Sequence, residues 1–295
     1  MLDPKLYSLL KVAETGNFTQ AANALNLTQP AVSQHIKALE DECNVKIFER
    51  VGNRIILTRQ GDKVVETAKT ILGIYKNMLN EFTGIMSGTQ EINIGITHTV
   101  ESNRITEVLA RYASENIGIT IRLFTGTPAK IRRKLKNYEL NLAIVDGSFE
   151  DSMLETRQLD VDQLVVVVDP SHRLAAKKSV SLQEIKNEKL ILRLPESGTG
   201  NLFKSSVESA DLRLDEFNVI LEVDNIATIK DLVRRGYGVS VIARSACVDE
   251  IQKRKLVALP IENINLTRVV SVAYAPNFPY HQFLEEFINA YQQAY

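Results

Sequence analysis

The sequence predicts a chain of three parts: a small, mainly helical head, one long helix, and an α/β region of two lobes. Short helical patterns with helix-start residues fill positions 1–58. A heptad pattern of apolar residues follows over 59–88, and strand and helix patterns then alternate to the end. A chain of 295 residues is long enough for two or three domains with cores of their own.

The head opens with two short predicted helices. Asp3 and Pro4 are typical of a helix start, and Gly16 supplies the left-handed residue that ends the first helix. We expect Thr19 to cap a second helix that runs through Leu25. The small alanines of this second helix let a neighbouring helix pack closely, and a tight turn leads to the next one.

The third predicted helix lies in TQPAVSQHIKALEDE, residues 28–42, and has two distinct faces. Val32, Ile36 and Leu39 fall on one face at helical spacing and should be buried. The opposite face carries small, amide and cationic groups: Pro30, Ser33, Gln34 and Lys37. Two short helices joined by a tight turn form a helix-turn-helix, and such groups suit DNA bases and phosphates. The helices alone are equally compatible with a helical hairpin whose polar face meets only water.

The segment VKIFERVGNRIILTRQG predicts a β-hairpin, which favours the DNA interpretation. Its strands lie around residues 45–48 and 55–57, and Gly52-Asn53 forms the turn. A hairpin after a helix-turn-helix makes a winged helix, and the arginines at its tip can reach the DNA backbone or the minor groove. The candidate DNA-binding residues are therefore Thr28, Gln29, Pro30, Ser33, Gln34, Lys37, Arg50 and Arg54.

Residues 1–60 resemble the DNA-binding domain of LysR-type transcriptional regulators. The matching stretch is FTQAANALNLTQPAVSQHIKALEDECNVKIFERVGNRIILTRQG. Its family landmarks are the Ala-Ala pair, Gln-Pro-Ala-Val-Ser, Ile-x-x-Leu-Glu, Phe-Glu-Arg and Leu-Thr-x-x-Gly. The sequence departs from the family pattern at two places. Cys43-Asn44 replaces an aliphatic residue and glycine, and Gln34 stands where arginine is common, which removes one cation.

The long predicted helix begins at a Thr58 cap and ends at Gly88. Its apolar residues alternate by four and three, and the dimerisation candidates are Val64, Ala68, Ile71, Tyr75, Met78 and Phe82. So narrow an apolar seam on a helix of about 42 Å needs a partner helix. That partner can belong to the same chain, but the position between domains and the LysR resemblance favour dimerisation. The helix would then pair two heads on a pseudo-palindromic operator.

The α/β region resembles the effector domain of LysR regulators, which is similar to periplasmic binding proteins. Its predicted strands begin with EINIGI and end with RVVSVAY, with helices between them. Such alternation predicts parallel sheets with right-handed crossovers. The implied parts are a winged helix-turn-helix domain at 1–58, a linker helix at 59–88, and an effector-binding domain at 89–295, with lobe one at 89–165 and 266–295 and lobe two at 166–265.

Polar residues follow several of the predicted strands, at the sheet edge where ligands of open α/β sheets bind. They lie in GITHTVES, LRLPESGTGN and EVDNIAT and after NLAIV, and the effector candidates are Thr97, His98, Thr99, Ser102, Asp146, Ser197, Thr199, Asp224 and Asn225. Hydroxyls and free backbone amides at helix starts favour anions. Each segment alone is compatible with a plain helix cap, whereas together they predict a site for a small anion or polar metabolite.

Two details bear on the chemistry of this site. The carboxylate of Asp146 argues against a bare polyanion as the ligand. The segment from Arg193 to Thr199 resembles that of LysR proteins linked to sulfur assimilation and anion sensing.

Two other function classes are open at this point. His98, Ser197 and Asp146 can be drawn as a hydrolase triad, yet the sequence has no nucleophile elbow, Walker loop or dinucleotide fingerprint. An enzyme also gains nothing from a winged helix joined to a heptad helix. The other class is an architectural or constitutive DNA-binding repressor with an empty sensor domain. The favoured function is a ligand-responsive LysR-type regulator that forms a dimer or tetramer, with RNA polymerase as a further candidate partner.

Composition limits the partners and the compartment. The net charge is −1, so nucleic acid must be met by a local basic patch. No apolar run approaches the ~20 residues of a membrane span, and the chain starts with an amphipathic pattern rather than a signal peptide. Cys43 and Cys247 form no metal-spacing motif, and we expect neither a disulfide nor a cofactor. These features favour a cytoplasmic protein without a membrane partner.

Overall fold

The computed structural model of the chain describes residues 2–52, 54–101, 104–147, 149–195 and 197–293. The fold comprises two compact units, one of Met1–Gln90 with Lys136–Glu139 and one of Glu91–Leu135 with Leu140–Tyr295. The first unit holds the head and the long helix, and the second holds the α/β region. The predicted fold class is confirmed.

The first unit consists of short helices, a hairpin and one long helix. In chain order these are α1 (Pro4–Thr15), α2 (Phe18–Leu25), α3 (Gln29–Cys43), β1 (Phe48–Val51), β2 (Arg54–Leu57) and α4 (Arg59–Ser87). The short helices and the start of α4 enclose one apolar core, whose fully buried members include Leu9, Val12, Val32 and Ile47. Because the apolar face of α3 is held in this core, its polar face points outward.

The ends of the first two helices follow the predicted chemistry with one exception. The Asp3 side chain accepts a hydrogen bond from a first-turn amide at 2.9 Å, and Gly16 ends α1 with a φ of 62°. By contrast, α2 begins at an Asn17 cap rather than at Thr19. The Asn17 side chain accepts from the amides of Thr19 at 2.8 Å and Gln20 at 3.1 Å. Because Asn17 satisfies two free amides at once, the helix starts before Thr19.

The ends of α3 and α4 match the prediction. Thr28 caps α3, and Asn44 ends it in the left-handed conformation with a φ of 52°. Thr58 caps α4, and Gly88 ends it with a φ of 65°. Asn44 therefore takes the role of the glycine usual at this position, because asparagine tolerates left-handed angles better than most residues do.

The first strand of the hairpin lies later in the chain than predicted. β1 pairs antiparallel with β2. Residues 45–47 instead connect α3 to the hairpin, because Ile47 is fully buried in the head core. Gly52 has a φ of 61° at the hairpin turn, whereas Asn53 lies outside the described residues.

Glu40, the acidic landmark near the end of α3, ties this helix to the hairpin. Its carboxylate accepts from the amides of Ile47 at 2.8 Å and Phe48 at 3.4 Å, and from the Lys46 ammonium at 2.7 Å. Burial alone would raise the pKa of Glu40, but the hydrogen bonds from Lys46 and from the two amides hold it below its usual value. The folded head therefore favours the ionised carboxylate.

We expect Glu40→Gln to destabilise the head by about 1 kcal/mol at neutral pH, because charge-assisted hydrogen bonds are lost. A carboxyl with a lowered folded pKa stabilises the fold above its unfolded pKa of about 4.3, and this contribution is lost as the pH falls through the folded pKa. Denaturant unfolding at neutral pH and well below that value measures the effect, and the gap between wild type and variant should shrink in acid.

Glu42→Gln is the matched control for Glu40→Gln. Glu42 lies on the same helix, and its side chain is exposed and paired with Lys5 at 3.4 Å. Exposed ion pairs contribute little, so this variant should unfold almost as the wild type does. An equal loss in both variants, or a Glu40→Gln loss that does not change with pH, would contradict the role given to Glu40.

The second unit alternates strands and helices. Its strands are β3 (Gln90–Thr97), β4 (Ile119–Gly126), β5 (Leu142–Asp146), β6 (Glu155–Val168), β7 (Leu190–Arg193), β8 (Val219–Val223), β9 (Ser240–Ala243), β10 (Val257–Leu259) and β11 (Thr267–Tyr274). Its helices are α5 (His98–Glu101), α6 (Ile105–Glu115), α7 (Pro128–Lys136), α8 (Leu182–Lys186), α9 (Gly198–Ser209), α10 (Ile226–Arg234), α11 (Val248–Gln252) and α12 (His281–Gln293). The predicted strands are present, and β6 is much longer than expected.

The sheets are mixed rather than wholly parallel as predicted. β3 pairs with β5, and β7 with β8, in parallel, as strands joined by helices do. β11 pairs antiparallel with both β5 and β6, and β9 and β10 pair antiparallel with β6. The β6–β11 pair is antiparallel because β6 leads the chain out of one core and β11 returns it in the opposite direction.

Two large apolar cores divide the second unit along the chain. One is formed by residues between Leu164 and Leu266. The other combines residues between Ile92 and Leu159 with residues between Val270 and Tyr291. β6 contributes to both cores, and β11 begins directly after Leu266. This division supports lobe limits near residues 165 and 266, which we retain as a proposal.

Candidate functional site

The candidate DNA-binding surface, defined as the outer face of α3 with the arginines of the hairpin, is accessible. Its residues are exposed apart from the half-buried Ser33, and they are Thr28, Gln29, Pro30, Ser33, Gln34, Lys37, Arg50 and Arg54. The Gln29 amide donates to the Ser33 hydroxyl at 2.8 Å, so these two side chains form a joined polar pair. Amide, hydroxyl and cationic groups thus face outward, as contact with bases and phosphates requires.

His35 lies beside this surface but is turned toward the core. Its Nδ1 is 2.7 Å from the hydroxyl of the fully buried Ser8. The contact joins α3 to α1. We therefore assign His35 a structural role.

An apolar stripe runs along the outer part of α4 and is defined by Ile71, Ile74, Met78, Leu79, Phe82 and Met86. Each of these side chains is at least 41% exposed, with Phe82 at 60% and Met86 at 89%. Tyr75 lies half-buried beside them. Val64 and Ala68, also predicted for dimerisation, pack instead against the core of their own head. The reason is that the first turns of α4 complete that core, so Ala68 is buried and has no surface left for a partner helix.

A cavity of about 210 Å³, here called the cleft cavity, lies at the ends of β3, β5 and β7. Its described walls are Thr97, His98, Thr99, Gly126, Thr127, Pro128, Asp146, Arg193, Leu194, Ser197, Gly198 and Asp224. This is the carboxyl edge of the strands, where ligands of α/β sheets bind.

Most of the predicted effector residues meet in the cleft cavity, namely Thr97, His98, Thr99, Asp146, Ser197 and Asp224. Thr199 is buried beside them, and its hydroxyl is 3.5 Å from that of Thr99. Asn225 is outside the described wall, because its side chain accepts from the Thr228 amide at 3.1 Å and caps α10. Ser102 lies outside the described residues.

The two predicted helix starts at the cavity differ in structure. Ser197 caps α9, since its hydroxyl accepts from the Gly200 amide at 3.0 Å and donates to the Leu194 carbonyl at 2.8 Å. Thr99, by contrast, lies inside the four-residue α5 rather than at a cap. β3 runs directly into α5, so Thr99 offers the cavity its hydroxyl and not a helix start.

Asp146 is held by a buried arginine that the sequence analysis did not select. The Arg268 guanidinium donates to the Asp146 carboxylate, which also accepts from the Thr97 hydroxyl. Arg268 donates further to the Thr199 hydroxyl at 3.1 Å and to the Asp162 carboxylate at 3.4 Å. All three charged side chains are at most 6% exposed. Asp146 is therefore not an isolated carboxylate, and the expectation that it argues against a polyanion is corrected.

Arg193, at the end of β7, supplies a cation to the cavity wall. Its side chain is 2% exposed, and its Nη2 donates to the Asp224 carboxylate at 3.1 Å. Burial lowers the pKa of Arg193, while Asp224 and Asp146 act in the opposite direction, and the guanidinium stays protonated. Among the described residues, its Nε and Nη1 have no hydrogen-bond partner. A buried guanidinium with unsatisfied donors makes Arg193 a candidate for contact with an anionic ligand.

Arg193 and Arg268 can both be identified in the sequence as charged residues within apolar strands. Arg193 ends LILR, and Arg268 opens RVVSVAY. A charge in a buried strand requires a partner, so each arginine could have been selected as a site candidate. Their partners could not be identified in this way, because Arg268 and Asp146 are 122 positions apart.

The described residues do not form the hydrolase arrangement considered above. The Ser197 hydroxyl is engaged as a helix cap, and the Asp146 carboxylate is engaged by Arg268. Within the described ranges, no group of three or more His, Cys, Asp or Glu side chains is placed to hold a metal ion. Cys43 and Cys247 are free thiols, and burial raises the pKa of Cys247 to about 12. None of the helices in the described part of the chain combines the length and apolarity needed to cross a membrane.

Family models match most of the chain. Residues 5–62 match the bacterial regulatory helix-turn-helix protein model of the lysR family, and residues 87–295 match the LysR substrate binding domain. The HTH-type transcriptional activator CmpR of Synechocystis sp. is 30% identical over 264 residues, which cover 89% of this chain and 86% of CmpR.

Solved structures agree with the described fold. Full-length CbnR in complex with its target DNA matches with a TM-score of 0.69 at 19% identity, over 100% of both chains. The regulatory domain of Synechocystis CcmR in complex with 2-PG matches with a TM-score of 0.60 at 23% identity, over 68% of this chain and 96% of that one. At these identities the structures establish the fold alone.

Proposed function

The chain belongs to the LysR family of bacterial transcriptional regulators, and on this basis we propose how it binds DNA and what it senses. It binds a pseudo-palindromic operator with α3 and the hairpin, and it responds to a small anionic or polar metabolite in the cleft cavity. Its relatives are regulators rather than enzymes, so the hydrolase alternative is dropped. Ligand binding would favour one arrangement of two heads over another and so change transcription.

The observation that carries the effector proposal is the buried guanidinium of Arg193. Two of its nitrogen donors have no partner among the described residues, and a buried charged donor without an acceptor is costly. A carboxylate, sulfate or phosphate group is the kind of acceptor that a guanidinium binds best. The start of α9 at Ser197 lies in the same wall, and its backbone amides favour negative charge.

The size of the cleft cavity supports a ligand of few atoms. Pockets for drug-sized molecules span ~300–1,000 Å³. The cleft cavity, at about 210 Å³, is smaller than that range. The CcmR regulatory domain, which shares this fold, has been solved with 2-PG, and this supports a small-molecule site in the α/β unit.

A thermal-shift screen followed by calorimetry tests the effector site. The panel contains sulfate, phosphate, 2-PG and short organic acids. We expect Arg193→Met to reduce the affinity for any anion that stabilises the wild type. The reduction should be about tenfold or more, because charge-assisted hydrogen bonds are removed. Ligand-free DNA binding should be retained.

Arg213→Met is the control for Arg193→Met. Arg213 is an exposed arginine whose partner is Asp215, and it lies outside the cleft cavity. This variant should leave anion affinity unchanged. Equal affinity in all three proteins would place the site elsewhere, and a panel without any stabilising ligand would favour the second candidate, a constitutive DNA-binding repressor.

Two pairs of variants test the DNA-binding surface. Ser33→Ala and Gln34→Ala are expected to change base preference, because hydroxyl and amide groups contact base edges. Arg50→Ala and Arg54→Ala should weaken binding to all sequences and reduce the salt slope by about one for each lost phosphate contact. In vitro site selection and salt titrations measure the two effects. Unchanged site profiles and slopes in all four variants would refute the assignment.

We propose that the chain assembles through two surfaces. The apolar stripe of α4 pairs two copies, and the edges of the α/β unit pair further to give a dimer or tetramer. Among the described strands, β4 and β8 each lie at the end of a sheet, and both carry exposed apolar side chains: Leu123, Phe124, Ile220 and Leu221. Exposed apolar edge strands are suited to pairing with another chain.

A regulator of this family acts on DNA in the cytoplasm, where RNA polymerase is a further proposed partner.

A further inference from the structure

The charges around the cleft cavity are compensated to different degrees. On one side, Asp146 is bound within the fold by Arg268 and Thr97. On the other side, Arg193 keeps two donors without a described partner and contacts the Asp224 carboxylate. The charged side chains that are not fully engaged within the fold are therefore those of Arg193 and Asp224, which are paired in the wall of the cavity.

Asp224 is placed to contact whatever binds Arg193. It lines the cleft cavity, follows β8 directly, and its side chain is 60% exposed. Its Oδ1 accepts from Arg193 at 3.1 Å. A carboxylate has about four acceptor positions, so Asp224 can accept further hydrogen bonds while the pair with Arg193 persists.

Arg193 and Asp224 select for opposite chemistry in one ligand. The guanidinium binds an anionic group. The carboxylate repels a second anionic group nearby but accepts hydrogen bonds from a hydroxyl or an ammonium group. The argument against a bare polyanion, which fails for Asp146, thus applies to Asp224.

We propose that Asp224 is the specificity-determining residue of the cleft cavity, and that the ligand is a small acid with a hydroxyl or amino group beside its anionic group. This inference rests on the proposed effector site and adds the chemical class of its ligand. It predicts a preference that the cation at Arg193 alone would not produce.

Calorimetry with matched acids and the full-length protein tests the preference. Propionate, lactate and alanine share a carboxylate and differ by a hydrogen, a hydroxyl and an ammonium group. Succinate, malate and aspartate form the same series with a second carboxylate, and sulfate is a bare dianion. We expect the wild type to bind a hydroxyl- or ammonium-bearing member of at least one series about tenfold more tightly than its parent acid, because a site built to accept a hydrogen bond rejects analogues without the donor.

Asp224→Asn separates the role of charge from that of structure. The amide retains an oxygen that can accept from Arg193, so the fold should persist, as thermal melting can verify. The variant should lose the preference for donor-bearing acids, most of all for those with an ammonium group, and should bind sulfate more tightly than the wild type. Asp215→Asn, at an exposed carboxylate that accepts from Arg213 at 3.0 Å, is the matched control and should change none of these affinities.

The outcomes distinguish this inference from the proposed function. The inference is overturned if no donor-bearing acid binds more tightly than its parent acid, or if the preference for donor-bearing acids persists in Asp224→Asn. In that case, sulfate binding that depends on Arg193 would still support the effector site. Binding of these acids that survives Arg193→Met would overturn the effector site itself.

Discussion

Replacement of Met78 or Phe82 by aspartate is expected to abolish tight operator binding while leaving the head folded. Both side chains are exposed on the apolar stripe of α4, 41% for Met78 and 60% for Phe82, and both lie far along the helix from the head core. In a paired helix, the new carboxylate would be buried without a partner, at a cost of several kcal/mol. The cost falls on association, because the stripe is exposed in the single chain.

The expected loss of affinity follows from the connection between the two heads. Two connected heads bind two half-sites as one unit, and the connection raises the affinity for DNA by about 10²–10⁴ over that of a single head. A monomeric variant should therefore lose about 10²-fold or more on a duplex selected in vitro with the wild-type protein. Fluorescence anisotropy measures the affinity, and sedimentation velocity measures the oligomeric state.

Asn80→Asp is the matched control for the stripe variants. Asn80 is an exposed residue of α4 on the side opposite Met78, by helical spacing, so the same carboxylate there remains in water. Its oligomeric state and DNA affinity should be those of the wild type. If Met78→Asp and Phe82→Asp also sediment and bind as the wild type does, the stripe is not the dimer interface.

Arg268→Met is expected to destabilise the α/β unit by about 3–5 kcal/mol, because it leaves two buried carboxylates without their cation. Asp146 and Asp162 both accept hydrogen bonds from Arg268, and all three side chains are almost fully buried. Methionine fills much of the arginine volume, so the loss reports charge more than packing. Chemical denaturation of the full chain, followed at the transition of the α/β unit, measures it.

A double variant and a surface control sharpen the Arg268 test. Adding Asp162→Asn to Arg268→Met removes one of the stranded charges, so the double variant should be more stable than the single one. Arg157→Met breaks an exposed pair with Glu285 and should cost less than about 1 kcal/mol. If Arg268→Met loses as little unfolding free energy as Arg157→Met does, the buried charges are solvated in another way.

Local chemistry explains which parts of the fold the sequence could predict. The ends of α1, α3 and α4 depend on a cap and a left-handed residue within a few positions of one another, and both can be identified in the sequence. The one error at a helix start, Asn17 in place of Thr19, arose because two residues with similar capping groups lie close together. Asn17 takes the role because its side chain accepts from two free amides at once, those of Thr19 and Gln20.

Packing across the chain explains what the sequence could not predict. Ala68 fits the heptad pattern as well as Ile71 does, yet Ala68 is buried in the head core and Ile71 is exposed. Periodicity alone cannot tell which part of an apolar face is covered by its own domain. The contact between Arg193 and Asp224 likewise joins two strand ends 31 positions apart, and it arises because β7 and β8 lie side by side.

One apolar core is formed by a segment that lies, in the sequence, between the two segments that form the other core, and this has a consequence for synthesis on the ribosome. The core between Leu164 and Leu266 is continuous in the chain and can close as soon as that segment has emerged. The other core needs α12, whose Phe283, Phe287 and Tyr291 pack with residues near Ile92. Apolar residues of β3 and α6 therefore remain incompletely covered in the nascent chain until α12 has been made. Translation at about 5–20 residues per second makes that interval many seconds, and a chain cut before residue 281 would never end it.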